Sequence, residues 1–188
     1  AQLEARRCTS TEFFYDRMAS QSGRCLPIIY VPLDTDRREH WRDRGAVYDY
    51  LLATHGEDRR LLDFGPGDGW PSLLVAPYTR QVIGVDASIR RVNECAANAR
   101  RLGTANAHFV YVSSGRPLPF DDGFFDGAMA ASSVEQTPDP LATLAELCRV
   151  LRPGGRLRMH YESLGAYRGG REREVELEAE GAGGCLLT

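Results

Sequence analysis

From Arg59 to Glu162, short apolar runs alternate with longer amphipathic stretches, and glycine or proline marks most of the junctions. Leu61–Phe64, Gln81–Val85, Ala107–Val112, Phe125–Ala131 and Arg156–Tyr161 read as strands. Pro71–Tyr78, Ser88–Leu102 and Pro140–Leu151 read as helices, with Gly103 and Pro153-Gly154-Gly155 as stops. Strands separated by helices cannot pair as hairpins, so they run parallel and both faces of the sheet are covered. Right-handed crossovers then give a doubly wound α/β sheet.

Two flanks surround this core. In residues 1–58, Ala46, Val47, Tyr50 and Leu51 make one apolar stripe on a helix expected from about Asp36 to His55, with Gly56 as its end. In residues 163–188, Val175, Leu177 and Ala179 alternate with glutamates, a glycine-rich turn follows, and Cys185–Thr188 begins a return strand. The expected organisation is one domain over 1–188: an N-terminal helical cap (1–58), a core (59–162) and an antiparallel tail hairpin (163–188) that is short enough to be incomplete.

Composition narrows the function. With 43% hydrophobic and 26% charged residues in 188, the chain can bury a sizeable core. A net charge of -3 argues against a strongly basic nucleic-acid footprint, while arginine clusters such as Arg37-Arg38 and Arg100-Arg101 leave a local basic groove, and with it a nucleic-acid methyltransferase, as a less favoured alternative. All 23 basic residues are arginine, which removes a lysine phosphate loop and a Schiff-base lysine. No apolar run approaches the roughly 18 residues of a membrane span, so no membrane partner is expected. The five cysteines are scattered without C-x-x-C spacing. No metal site is therefore expected, and reduced thiols in a cytoplasmic protein are.

The chemistry concentrates in Asp63-Phe64-Gly65-Pro66-Gly67-Asp68-Gly69, at the end of the first strand. Alternating glycines let the backbone turn tightly and approach a ligand, and the following helix aims its first amides there. Asp86 ends the second strand, 17 residues beyond Gly69. A carboxylate there can accept both hydroxyls of a ribose, although Asp86 could also cap the helix beginning near Ser88. Together these features point to a nucleoside-containing cofactor across the strand ends. A dinucleotide fingerprint needs glycine where Trp70 stands.

The spacing D-x-G-x-G-x-G resembles that of the class I S-adenosylmethionine-dependent methyltransferases, most closely the ubiquinone/menaquinone-biosynthesis-like, small-molecule branch. Further blocks follow in order: Leu118-Pro119-Phe120-Asp121-Asp122-Gly123-Phe124-Phe125-Asp126, Thr137-Pro138-Asp139-Pro140, and Arg149-Val150-Leu151-Arg152-Pro153-Gly154-Gly155. The resemblance covers about Arg59 to Glu162 and implies a Rossmann-like fold and S-adenosylmethionine as cofactor, with S-adenosylhomocysteine as product. It implies that Asp63, Phe64, Gly65, Gly67 and Gly69 surround the methionine part, Asp86 holds the ribose, and Ala87 borders the adenine. Ser114 stands where relatives often carry an adenine-binding aspartate, and Ser132 lies at the end of strand four on the cofactor side.

Methyl transfer from a sulfonium is an in-line displacement, and alignment alone can supply up to roughly 7–11 kcal/mol. A general base is needed only for a protonated acceptor. Glu135, His160, Tyr161 and Glu162 fall where the resemblance places the acceptor, and are the candidates for base or positioning group. Glu135 and Gln136 could instead cap the next helix, and His160 could be a core histidine. The expected activity is methyl transfer to a small molecule. Rival readings are a catalytically silent binding module on the same fold, and a nucleotide-linked oxidoreductase.

Overall fold

The structure is a computed structural model and describes residues 47–67 and 69–160. Neighbouring residues of the apolar runs point to opposite faces of the sheet, and both faces are buried. Among the described residues five strands result: β1 (Arg60–Phe64), β2 (Gln81–Asp86), β3 (Ala107–Tyr111), β4 (Phe125–Ala131) and β5 (Leu151–His160). All pair in parallel, in the order β3-β2-β1-β4-β5.

On one face Leu62, Ile83, Val85, Ala128, Ala130 and Leu157 pack against Leu147 and Val150 of α4 (Pro140–Val150). On the other, Leu61, Val82 and Met129 pack against three helices. These are α1 (residues 47–53), through Val47, Tyr50 and Leu51; α2 (Trp70–Val75), through Leu73 and Val75; and α3 (Ile89–Leu102), through Ala99. Two short 3-10 turns are also present among the described residues, Ala76–Tyr78 after α2 and Val134–Gln136 after β4.

Helix ends follow side-chain chemistry. The Ser88 hydroxyl accepts from the Arg91 amide and starts α3; Gly103, at φ 67°, ends it. Asp139 accepts from the Ala142 amide and starts α4, so neither Glu135 nor Gln136 is its cap.

One boundary departs from the sequence expectation. Pro153-Gly154-Gly155 does not separate helix from strand: β5 begins at Leu151 and carries the turn as a bulge. Leu151 already pairs with Phe125, and pairing resumes at Gly127↔Arg156. The turn is accommodated because Gly154 takes φ 76°, a left-handed backbone that glycine tolerates. The parallel sheet is as expected. The cap over residues 1–46, most of the helix expected from Asp36, and the tail hairpin lie outside the described residues.

Candidate functional site

The chain lays down β1, β2 and β3 in one direction, then returns to place β4 on the other side of β1. That reversal leaves a crevice at the carboxyl ends of β1 and β4. A cleft of about 740 Å³ opens there.

The glycine turn forms its floor. A Cβ on Gly65 would lie 2.5 Å from the Ser133 Cβ, so this glycine is required by the close approach of β1 and β4. Gly67 is different: a Cβ there would meet only the Arg91 Nη1, at 3.9 Å, and its outer side faces the cleft. Beneath the turn, the Cys95 thiol donates to the Gly67 carbonyl at 3.3 Å.

At the end of β2 the Asp86 Oδ1 accepts from the Ser88 amide at 2.8 Å. The carboxylate therefore braces the start of α3 and lines the cleft at once, with Ala87 beside it. At the end of β4, Ser132 holds a left-handed φ of 50°. It is pinned from three sides. Its amide donates to the His160 carbonyl at 2.9 Å, its carbonyl accepts from the Gln136 side-chain amide, and the next residue, Ser133, donates its hydroxyl to the Phe64 carbonyl at 2.6 Å. An uncommon backbone so constrained, at the lip of a cleft, is where strain tends to be functional.

Two further walls enclose the cleft. One is the loop after β3, with Ser114, Gly115, Arg116 and Leu118; the other is the first turns of α4, with Ala142, Thr143 and Glu146. They are fastened together. Glu146 Oε1 accepts from the Leu118 amide at 2.6 Å, and Arg149 bonds both Glu146 oxygens, the Phe120 carbonyl and Asp122. The Arg149 guanidinium holds the Glu146 carboxyl below its usual range, and the Leu118 amide adds to this.

The cleft thus brings together Phe64, Gly65, Gly67, Asp86, Ala87, Ser114 and Ser132. It does not bring in the others. Asp63 is buried and turned under α2, where it accepts from the Ser72 hydroxyl at 2.6 Å. Gly69 is buried against Cys95 and Leu73 at the start of α2. Glu135 is buried in the turn after β4, outside the cleft lining. His160 is exposed at the end of β5, its ring edge-on to Tyr50 at 6.5 Å. Burial, with the Asp63 charge nearby, pushes the Tyr50 hydroxyl up to about 12. Tyr161 and Glu162 lie outside the described residues.

Sequence reasoning passed over Arg91, Arg116 and Glu146, all of which line the cleft, and Gln136, weighed there as a helix cap, lines it too. Arg91 was findable: it lies one turn beyond the Ser88 cap, on the side of α3 that meets the glycine turn. Glu146 was not, because its place depends on Arg149 and a loop 28 residues away.

Residues 62–159, just over half of the chain, match a methyltransferase domain family. The chain belongs to that family and, with its fold, to the class I S-adenosylmethionine-dependent methyltransferases. It is 33% identical over 143 residues to a demethylmenaquinone methyltransferase of Clavibacter sepedonicus, covering 76% of this chain and 54% of that one. It is 32% identical over 106 residues to the uncharacterised methyltransferase YcgJ of Bacillus subtilis, covering 55% and 42%. The YcgJ crystal structure superposes with a TM-score of 0.60 over 64% of this chain and 51% of that one, at 26% identity. The [4+2]-cyclase SpnF superposes with a TM-score of 0.66 over 81% and 60%, at 27% identity. The chain spans about a third to a half of the curated relatives it matches.

Proposed function

We propose that this protein transfers a methyl group from S-adenosylmethionine to a small-molecule acceptor by in-line displacement, in the cytoplasm. The observation that carries this is one cleft at the strand-order reversal uniting the open side of Gly67 with the Asp86 carboxylate. The residues fit the cofactor. Gly67 leaves room for a chain to pass close to the backbone, Asp86 offers a carboxylate for ribose hydroxyls, and Val85, Val112 and Leu118 supply apolar surface for a base. When bound, S-adenosylmethionine supplies an electrophilic methyl on a sulfonium.

In this reading Phe64, Gly65 and Gly67 contact the methionine part, Asp86 and Ala87 hold the nucleoside, and Ser114 accepts from the adenine. Ser132 sets the lip between cofactor and acceptor. Asp63 and Gly69 act from beneath by fixing α2 and the turn. Among the base candidates, His160 is joined to the cleft through its backbone carbonyl, which accepts from the Ser132 amide, while its ring packs on Tyr50, and Glu135 is buried outside the lining; displacement from a sulfonium needs neither for an unprotonated acceptor.

A second reading has an observation of its own. SpnF, similar in fold at 27% identity, is named for a cyclisation, so a cleft of this kind can belong to a protein named for another reaction. Calorimetric titration with S-adenosylmethionine and S-adenosylhomocysteine, with nicotinamide dinucleotides as control, tests the first step. Binding of the adenosyl pair alone is expected, and a folded chain that binds neither sinks the cofactor assignment. Binding without methyl transfer across an acceptor screen would favour the second reading, and binding of the nicotinamide control would favour an oxidoreductase.

A further inference from the structure

The opposite end of the sheet, where the strands begin, concentrates arginine in a chain whose net charge is -3. Arg59 and Arg80 precede β1 and β2, and Arg152 and Arg156 flank the Pro153-Gly154-Gly155 bulge of β5. One carboxylate serves this cluster. Asp126 lies 3.8 Å from Arg59, 3.6 Å from Arg80 and 3.2 Å from Arg152, and also accepts from the Arg60 amide at 2.8 Å. Its two oxygens are thereby committed, and the positive charge around it is left in surplus.

A cavity of about 230 Å³ opens at this point, lined by Thr54, His55, Arg59, Asp126, Arg152, Gly154 and Arg156. Among the described residues the Arg156 guanidinium has no ion pair or side-chain hydrogen bond. The bulge places it across the glycine turn from Arg152, and both line the same cavity. Glu57 and Asp58 stand on the preceding loop but do not line it.

We propose that this cavity is an oxyanion subsite, in which Arg59, Arg152 and Arg156 take a phosphate-sized group at the far end of the sheet from the cofactor cleft. Guanidinium forks match the spacing of phosphate oxygens, and a pocket sharpens that match beyond what loose surface charge provides. The Asp126 carboxylate repels such a group, but its charge is already met by three guanidiniums. The Pro-Gly-Gly turn thus presents two arginines as well as interrupting β5.

Calorimetric titration of the full chain with inorganic phosphate at constant ionic strength tests this. Saturable binding is expected, weakened about tenfold in Arg156→Gln, the scale of one lost charge-assisted hydrogen bond. Because Arg156 carries no ion pair among the described residues, that variant is expected to keep its melting temperature. The double variant Arg100→Gln with Arg101→Gln removes two charges near the end of α3, outside the cavity, and is expected to bind phosphate unchanged. No saturable binding in the parent chain, equal affinity in Arg156→Gln, or an equal loss in the α3 variant would each overturn the proposal. A dinucleoside monophosphate titrated in parallel separates a phosphodiester from free phosphate as the source, by which of the two binds more tightly.

Discussion

Gly65 and Gly67 stand two residues apart with the same left-handed backbone, yet they answer to different demands. Gly65 yields to Ser133, whereas Gly67 yields to open space. Gly65→Ala is therefore expected to destabilise the fold by about 1–3 kcal/mol, the usual cost of forcing an extra carbon into a packed site. Adding Ser133→Gly removes the opposing Cβ along with the hydroxyl bond to the Phe64 carbonyl, so the pair of changes is expected to cost less than the sum of the two single ones, a non-additive double-mutant cycle read by denaturant midpoints. Strict additivity would mean that the two residues do not meet.

Asp86 carries two duties that substitution can separate. Asp86→Asn keeps an acceptor for the Ser88 amide but removes the charge. It is expected to hold its melting temperature while losing roughly 1.5–3 kcal/mol of S-adenosylhomocysteine affinity, the range for hydrogen bonds to charged groups. Unchanged calorimetric affinity would remove Asp86 from the site.

Between elements, Arg149 and Glu146 fasten the Leu118–Phe124 loop to α4. Sequence blocks that mark the family, Leu-Pro-Phe and Arg-Val-Leu, turn out to be two halves of one structural contact. The arginine bonds the Leu118 and Phe120 carbonyls, and the Gly123 amide donates back to the Arg149 carbonyl.

This contact has a pH signature. The Arg149 guanidinium holds the Glu146 carboxyl below the ordinary glutamate value of 4.5, so the folded state stays ionised where the unfolded chain takes up a proton. Its stabilisation is present above that value and is lost as pH falls through the lower folded one. Glu146→Gln is expected to melt below the parent at neutral pH, by about 1–2 kcal/mol in stability. The gap is expected to close on acidification below 4.5. A gap constant with pH would mean that the carboxylate charge contributes nothing to the contact.

At the scale of the whole molecule, stability is centred on β1 and β4. β1 is paired on both sides and buried on both faces, and β4 joins it to β5, while β3 is an edge from which His108 and Tyr111 reach solvent. Amide hydrogen exchange followed by mass spectrometry is expected to find β1 and β4 the slowest and β3 the first strand to open. The reverse order would place the stable core elsewhere. The same arrangement explains why the cleft and the arginine cluster face away from each other: parallel strands share one carboxyl end and one amino end, and loops at the two ends are free to differ.

The order of strands and helices was readable because it rests on side-chain period and on glycine and proline sterics, which act over a few residues. β4 was read from sequence with the bounds it has, Phe125–Ala131, and the pairing of the glycine turn with Asp86 was likewise visible in spacing. The start of β5 was not, because Leu151 is a strand residue only through its pairing with Phe125. Nor was the sorting of acidic residues. Asp63 and Asp86 both end strands, but Ser72 draws Asp63 under α2 while Ser88 holds Asp86 at the cleft. Ser133 reaches the Phe64 carbonyl across 69 residues. Local preferences choose an element, whereas the direction a polar side chain takes depends on which distant group can satisfy it once buried, and only the assembled sheet brings those groups together.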